Sequence, residues 1–433
     1  MRALLELVRR HHTGEPVGIY SVCSAHPLVL RAALSQAQSC GGGALIEATS
    51  NQVNQEGGYT GLTPAQFRDQ VHQFADTLGL PRERVLLGGD HLGPNCWQAL
   101  PAAEALARSA VLVTDYVSAG FRKIHLDCSM ALGGDPPVLN DELVAARAAA
   151  LAVQAEAAWR RCGGEPPVYV VGTEVPVPGG AQEALRELQV TSPEAALATV
   201  AAHRAAFLRA GLDEAWGRVV GLVVQPGVEF DGDRVVDYRP NQALRLSECL
   251  KSAPHLVFEA HSTDYQKPAA LSALVRDHFA ILKVGPALTY ALREALWALD
   301  AIEREWYGNA ASSLLRATVL EAMRSSPVYW RRYYHSSGAA LEYELQYSLS
   351  DRIRYYWPEA SVTAALARLT AAFEAGMPPP ALLSQYLPGA ALAVREGTLR
   401  PRVPDLVIHH VCQVLRAYAQ ACNPRDRHER ASS

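Results

Sequence analysis

No apolar run in the 433-residue chain is long enough to span a bilayer. The amphipathic start, with Leu4, Leu5, Leu7 and Val8, also lacks the continuous apolar core of a signal peptide. The expected location is the cytoplasm, away from any membrane. Cationic blocks are missing too: 40 Lys and Arg against 44 Asp and Glu leave a net charge of −4, which removes the electrostatic case for nucleic acid and makes a small molecule the expected ligand. The eight cysteines (Cys23, Cys40, Cys96, Cys128, Cys162, Cys249, Cys412 and Cys422) are widely spaced, with no C-x-x-C pair and no Cys/His ligand spacing, so reduced thiols are expected. No G-x-G-x-x-G follows the first candidate strand, which argues against a doubly wound dinucleotide fold. Neither a G-x-x-x-x-G-K-[ST] loop nor the protein-kinase signature set is found, so nothing indicates phosphoryl transfer from ATP.

What the chain does have is periodic. Apolar residues make up 49% and charged residues 19%, enough for one large domain and a smaller one. Short β-branched runs recur at 17–22, 44–49, 85–89, 123–127, 168–172, 219–224, 256–260 and 279–284. Between them lie amphipathic stretches such as 64–78, 102–117, 141–161, 193–210, 242–251, 267–276 and 288–303, each long enough for a crossover helix. Eight strands alternating with helices over residues 1–305 predict an α/β fold, a (β/α)8 TIM barrel. Beyond that point the β-rich runs stop while helical periodicity continues, which predicts a helical C-terminal extension over 306–433, packed on the barrel.

Polar residues collect at the predicted C-terminal strand ends, where barrels carry their chemistry. The first strand leads to Ser24 and His26, the second to Glu47 and Asn51, the third to Asp90 and His91, and the fourth to His125 and Asp127. Glu174 follows the fifth, Gln225 and Glu229 the sixth, Glu259, His261 and Ser262 the seventh, and Lys283 and Gly285 the eighth. Barrel interiors favour branched apolar side chains, so a rim of carboxylates, imidazoles and a lysine costs desolvation unless pairing, metal or substrate compensates it. An active site is the reading that accounts for all eight together.

Two patterns point to a divalent metal. Asp90 and His91 are adjacent and should face opposite sides of a strand end, whereas Glu259 and His261 share a face by the period-two rule. His91 and His261, completed by Glu259, Glu229 or Gln225, would form a site with an open position for Zn, Mn or Mg. The loops after strands seven and eight, with Ser262, Lys283 and Gly285 before a helix starting near residue 288, suit a phosphate dianion. Lys283 could equally pair with Glu259 or Asp277, or serve as a Schiff-base nucleophile.

Several runs carry a family resemblance: S-V-C-S-A-H-P (21–27), I-E-A-T-S-N-Q-V-N-Q (46–55), G-G-D-H-L-G-P-N-C-W-Q (88–98), K-I-H-L-D (123–127), G-T-E-V-P-V-P-G-G (172–180), V-V-Q-P-G-V-E-F-D (223–231), E-A-H-S-T-D-Y-Q (259–266) and H-F-A-I-L-K-V-G-P-A-L (278–288). With S-L-S-D-R-I-R-Y-Y-W-P (348–358) and S-Q-Y-L-P (384–388), they closely resemble the larger subunit of bacterial D-tagatose-1,6-bisphosphate aldolase, a galactitol-pathway protein. The resemblance implies one of two roles. The first is metal-dependent chemistry at C3–C4 of ketohexose phosphates, as a tagatose 6-phosphate/fructose 6-phosphate 4-epimerase or as part of the aldolase. The second is a non-catalytic subunit that stabilises and activates a separate class II aldolase subunit. A remoter similarity to class II aldolases implies that Asp90 handles the C4 hydroxyl proton and that His91 and His261 hold the metal; among the rim carboxylates Glu174 is the other catalytic candidate. Ser24, His26, Glu47, Asn51, His125, Asp127, Ser262, Lys283 and Gly285 are the expected substrate contacts. At strand six those aldolases carry a further histidine where this chain has Gln225, Pro226 and Glu229.

Overall fold

A computed structural model describes residues 2–172, 188–253 and 255–423. Eight strands form a closed barrel: β1 (Ile19–Val22), β2 (Ala44–Thr49), β3 (Val85–Leu92), β4 (Lys123–Leu126), β5 (Val168–Val171), β6 (Val219–Val224), β7 (Val257–Ala260) and β8 (Ile281–Val284). They are hydrogen-bonded in sequence order, β8 closes on β1, and every pairing is parallel. The α/β barrel expected from periodicity is therefore the fold.

Local chemistry sets the crossover helices. Pro64–Leu78 starts at Thr63, whose side chain accepts from the Gln66 amide while Gln66 returns the contact, and it stops at Gly79 in the left-handed region. Pro27–Cys40, missing from the sequence reading, has no Ser, Thr, Asp or Asn before its proline; His26 Nδ1 accepts from the Leu28 amide instead.

The N-terminal helix Arg2–His12 buries Leu4 and Val8 against Val168, Val220, Val257 and Ile281, near the starts of their strands. The opposite mouth is thus the open one. The expected division at 305/306 falls inside a helix, Pro286–Tyr307, and the long helix Val403–Cys422 packs on it and on Pro27–Cys40 and Pro268–Arg276. Residues on both sides of 305 share one continuous apolar core. No helix among the described residues is long and apolar enough to cross a membrane.

β3 departs from expectation in a way that matters. It runs three residues past the predicted end at 89, its register with β4 shifts between Gly89 and Leu92, and His91 has φ 47°. A bulge breaks period-two alternation, so Asp90 and His91 both turn into the barrel instead of facing opposite sides. Left-handed backbone at a non-glycine residue is strained, and here the strain sits at the rim.

Candidate active site

The lower part of the site is a closed ionic layer. Lys123, on β4, places Nζ 2.6 Å from Glu47 Oε1 and 2.6 Å from Glu259 Oε2, with all three side chains fully buried. Lys283 pairs with the other Glu47 oxygen and lies 2.8 Å from Asp90 Oδ1. Room for Glu47 comes from Gly88, where a Cβ would sit 2.5 Å from Glu47 Oε1. Burial works against charge, yet the two lysines hold the Glu259 carboxyl well below its usual range, and the carboxylates keep both lysines above theirs.

Above this layer stand three imidazoles. His91, His125 and His261 have ring centroids 4.8 to 5.3 Å apart. Ligand-capable atoms from these three and Asp90 all lie within 4.8 Å of one another. Each ring has one nitrogen held by a carboxylate. His91 Nδ1 donates to Asp127 Oδ2 at 2.8 Å, and His261 Nε2 donates to Glu259 Oε1 at 3.0 Å. His125 Nδ1 lies 3.2 Å from the His91 amide, which can only donate, and 3.1 Å from Asp90 Oδ1, which can only accept; in the tautomer that donates to Asp90, Nε2 is the nitrogen left for a ligand. The opposite nitrogens are then His91 Nε2, His125 Nε2 and His261 Nδ1. His125 Nε2 is buried and has no hydrogen-bond partner among the described residues.

An orphaned buried nitrogen costs free energy, and three carboxylate-oriented imidazoles are the donor set that divalent metals use. The residues fit such an ion. Burial pushes the His261 imidazole down to about 4, leaving it neutral and able to ligate at pH 7. Burial opposes ionisation of Asp90, but His91, Lys283 and His125 outweigh it and keep the carboxyl well below its usual range.

The expected site residues therefore sort differently from the sequence reading. His125, assigned to substrate, is the third imidazole, and Asp127 orients His91 while also accepting from the Ser129 amide and hydroxyl. Glu259, assigned to the metal, has both oxygens engaged by Lys123 and His261. Gln225 Oε1 accepts from the Gly227 and Val228 amides, a local turn contact, and Glu229 lies outside the imidazole cluster with Oε1 accepting from the Phe230 amide. Burial raises the Glu229 carboxyl to about 7. The phosphate cradle is filled from within, because the Gly285 and Ala287 amides donate to Asp264 Oδ1 at 3.0 and 2.8 Å, while Lys283 is spent on Glu47 and Asp90. Ser24 accepts from the His26 amide, and both line a neighbouring cavity. Glu174 lies outside the described residues.

The cavity over the imidazoles is lined by Asn51, Asp90, His91, His261 and Ser262, and by residues that sequence reasoning missed: Tyr59, Asp264, Arg354 and Tyr355. Tyr59 and Arg354 line both cavities. Lys123 had a legible signal, since it shares the inward face with His125 two residues on. Arg354 and Tyr355 had none of that kind, because they come from a short 3-10 turn, Arg352–Tyr355, remote in sequence from every strand.

The family model for the D-tagatose-1,6-bisphosphate aldolase subunit GatZ/KbaZ-like family matches residues 4–423. The chain belongs to that family. A probable tagatose 6 phosphate kinase from Sinorhizobium meliloti 1021 is 48% identical, with 94% of this chain and 100% of that chain covered at a TM-score of 0.86. Two distant structures also match. The fructuronate-tagaturonate epimerase UxaE from Cohnella laeviribosi is 12% identical over 94% of this chain and 82% of its own, with a TM-score of 0.48. The YdjI aldolase from Escherichia coli K12 is 11% identical over 86% and 98%, with a TM-score of 0.43. At such distance neither bears on the chemistry of this GatZ/KbaZ-like chain.

Proposed function

We propose that this GatZ/KbaZ-like chain is itself a metal-dependent enzyme acting at C3–C4 of ketohexose phosphates, by 4-epimerisation between tagatose 6-phosphate and fructose 6-phosphate. The observation that carries the reading is the set of three imidazoles each facing a carboxylate through one nitrogen, His125 Nε2 being buried without a hydrogen-bond partner among the described residues. A divalent ion held by His91, His125 and His261 would supply Lewis-acid stabilisation of negative charge developing on a substrate oxygen.

The chain's own groups do the rest. Asp90 is ionised beside the imidazoles, with Lys283 2.8 Å away, and it is the group placed to take the C4 hydroxyl proton as the C3–C4 bond breaks and its electron pair moves toward the C2 carbonyl. Return of that proton, after the aldehyde has turned and C3–C4 has re-formed from its other face, completes the inversion without net change in atoms or charge. Walls from Ser262, Tyr59 and Tyr355 enclose the fragments in the meantime. Transfer of phosphate from ATP has no support, since the chain lacks the loops that would hold the nucleotide.

The family description speaks of an aldolase subunit, which favours a second reading, a helper that acts by binding a separate class II aldolase chain. One assay separates the two. Purified chain is given fructose 6-phosphate with Zn²⁺, Mn²⁺ or Mg²⁺, and tagatose 6-phosphate should form without free triose. Release of triose would indicate aldolase cleavage. Absence of turnover with any of the three metals, together with stimulation of an added aldolase subunit, would establish the helper role and end the catalytic reading.

A further inference from the structure

The catalytic cavity distributes its charge unevenly. On the side of β7 and β8, the amides and the lysine expected to meet a phosphate are already committed: the Gly285 and Ala287 amides to Asp264 and the Lys283 ammonium to Glu47 and Asp90, with the Thr263 hydroxyl donating to the Lys283 carbonyl. Asp264 itself is buried and lines the cavity, so this wall presents a carboxyl group where a dianion would have to sit.

The opposite case is Arg354. It lines the same cavity, and among the described residues no carboxylate lies within 4.0 Å of its guanidinium. Its contacts are modest: Nη1 donates to the Asp351 carbonyl at 3.0 Å and, more loosely, to the Ser350 carbonyl at 3.4 Å, while Nη2 lies 3.4 Å from the Tyr355 hydroxyl. An aromatic frame fixes it in place. Tyr355 stacks on Tyr329 with centroids 4.7 Å apart and meets Tyr59 edge-on at 4.8 Å, and the guanidinium lies 4.9 Å from the Tyr355 ring. A guanidinium without a bound anion, held rigidly at a cavity wall, is the group suited to fork onto a phosphate.

We propose that Arg354 anchors the single phosphate of the substrate and that Asp264 bars a second, so the chain selects ketohexose monophosphates over bisphosphates. This rests on the sugar-phosphate reading above and adds the residues that would enforce its preference for a monophosphate. The C-terminal segment, which brings Arg354 and Tyr355 to the barrel mouth, is then part of the substrate site.

Calorimetric titration of the full metal-supplied chain with fructose 6-phosphate, fructose 1,6-bisphosphate and unphosphorylated fructose tests it. Arg354→Met should weaken fructose 6-phosphate about 10- to 100-fold, the range for a charged hydrogen-bonding pair, with partial recovery in Arg354→Lys and no change for fructose. A merely structural arginine would weaken sugar and sugar phosphate alike. Asp264→Asn removes the charge and keeps the shape, and Asp264→Ser frees the two amides; either should raise the bisphosphate-to-monophosphate affinity ratio about tenfold or more. Equal binding of mono- and bisphosphate by the unaltered chain, or full fructose 6-phosphate affinity in Arg354→Met, overturns the proposal alone. Failure of the unaltered chain to bind any phosphorylated ketohexose would remove the sugar-phosphate reading as well.

Discussion

The ionic layer and the imidazole layer lie within one barrel and draw on the same strands, yet they are finished differently. In the lower layer each charge meets an opposite one: Lys123 sits between Glu47 and Glu259, and Lys283 between Glu47 and Asp90. In the upper layer each imidazole has one nitrogen facing a carboxylate, and His125 Nε2 is buried with no hydrogen-bond partner among the described residues. Stability explains the first arrangement by itself, because buried charges need partners. It gives no account of the second, where the unpartnered His125 Nε2 is a cost until something binds it. A carboxylate can belong to both layers, as Glu259 and Asp90 do, and such residues tie the rigidity of the lower layer to the orientation of the upper one.

Breaking the closed layer should have the largest effect. Lys123→Met takes the cation from Glu47 Oε1 and Glu259 Oε2 and leaves Lys283 alone to serve both carboxylates, and removal of one partner from a buried ionic group costs about 3–5 kcal/mol. Urea unfolding of the variant should show a loss of that size. A loss below about 1 kcal/mol would mean that the layer is not held by the pairing described here.

Asp90→Asn tests the upper layer through a residue that belongs to both. The amide keeps the shape and loses the proton affinity, so turnover should fall about 100- to 10,000-fold while the folded state survives. Rates and melting temperature measured on the same preparation separate the two outcomes. Near-normal turnover would transfer the proton-accepting role to another carboxyl.

The strands and most of the crossover helices were legible because period and length suffice for them: all eight strand positions and the helix Pro64–Leu78 emerge from the apolar pattern alone. Which residues form the site was legible only as a set. Period two assigns a face but not a partner, so it groups Glu259 with His261 without revealing that Glu259 is spent on Lys123. It also fails at a bulge, which is how Asp90 and His91 come to share an interior that alternation denies them. Asp264 was hidden for another reason. Nothing local indicates that a residue three positions past His261 reaches the amides at the start of the next helix, and the phosphate cradle expected there is closed by that contact.

A milder change would sharpen the difference between the layers by loosening the upper one alone. Asp127 fixes the His91 ring through a 2.8 Å bond and makes no contact with either lysine of the lower layer among the described residues. Asp127→Asn should therefore weaken metal binding about 10- to 100-fold, the usual cost of losing a partner that orients a ligating imidazole. Competition with a chelator reads this directly. Unchanged metal affinity would show that the ring is held by packing instead.

Glu229 supplies the smallest and most specific contrast, a buried carboxyl with no lysine or arginine within 4.0 Å among the described residues, unlike Glu47 and Glu259 below it. Burial raises it from 4.5 to about 7, so the unfolded chain releases this proton at lower pH than the folded one does. A raised pKa in the folded state means that the group's contribution to stability is fully present below about pH 4.5 and is lost as pH climbs through 7. Glu229→Gln removes the ionisation and keeps the volume. Its stability relative to the unaltered chain should accordingly improve by about 1 kcal/mol between pH 6 and pH 8, the portion of the linkage that falls in that window. Urea unfolding at the two pH values measures the difference. A gap that stays constant or narrows toward pH 8 would mean that Glu229 ionises in the folded chain as easily as in water, and that the absence of a cation costs it nothing.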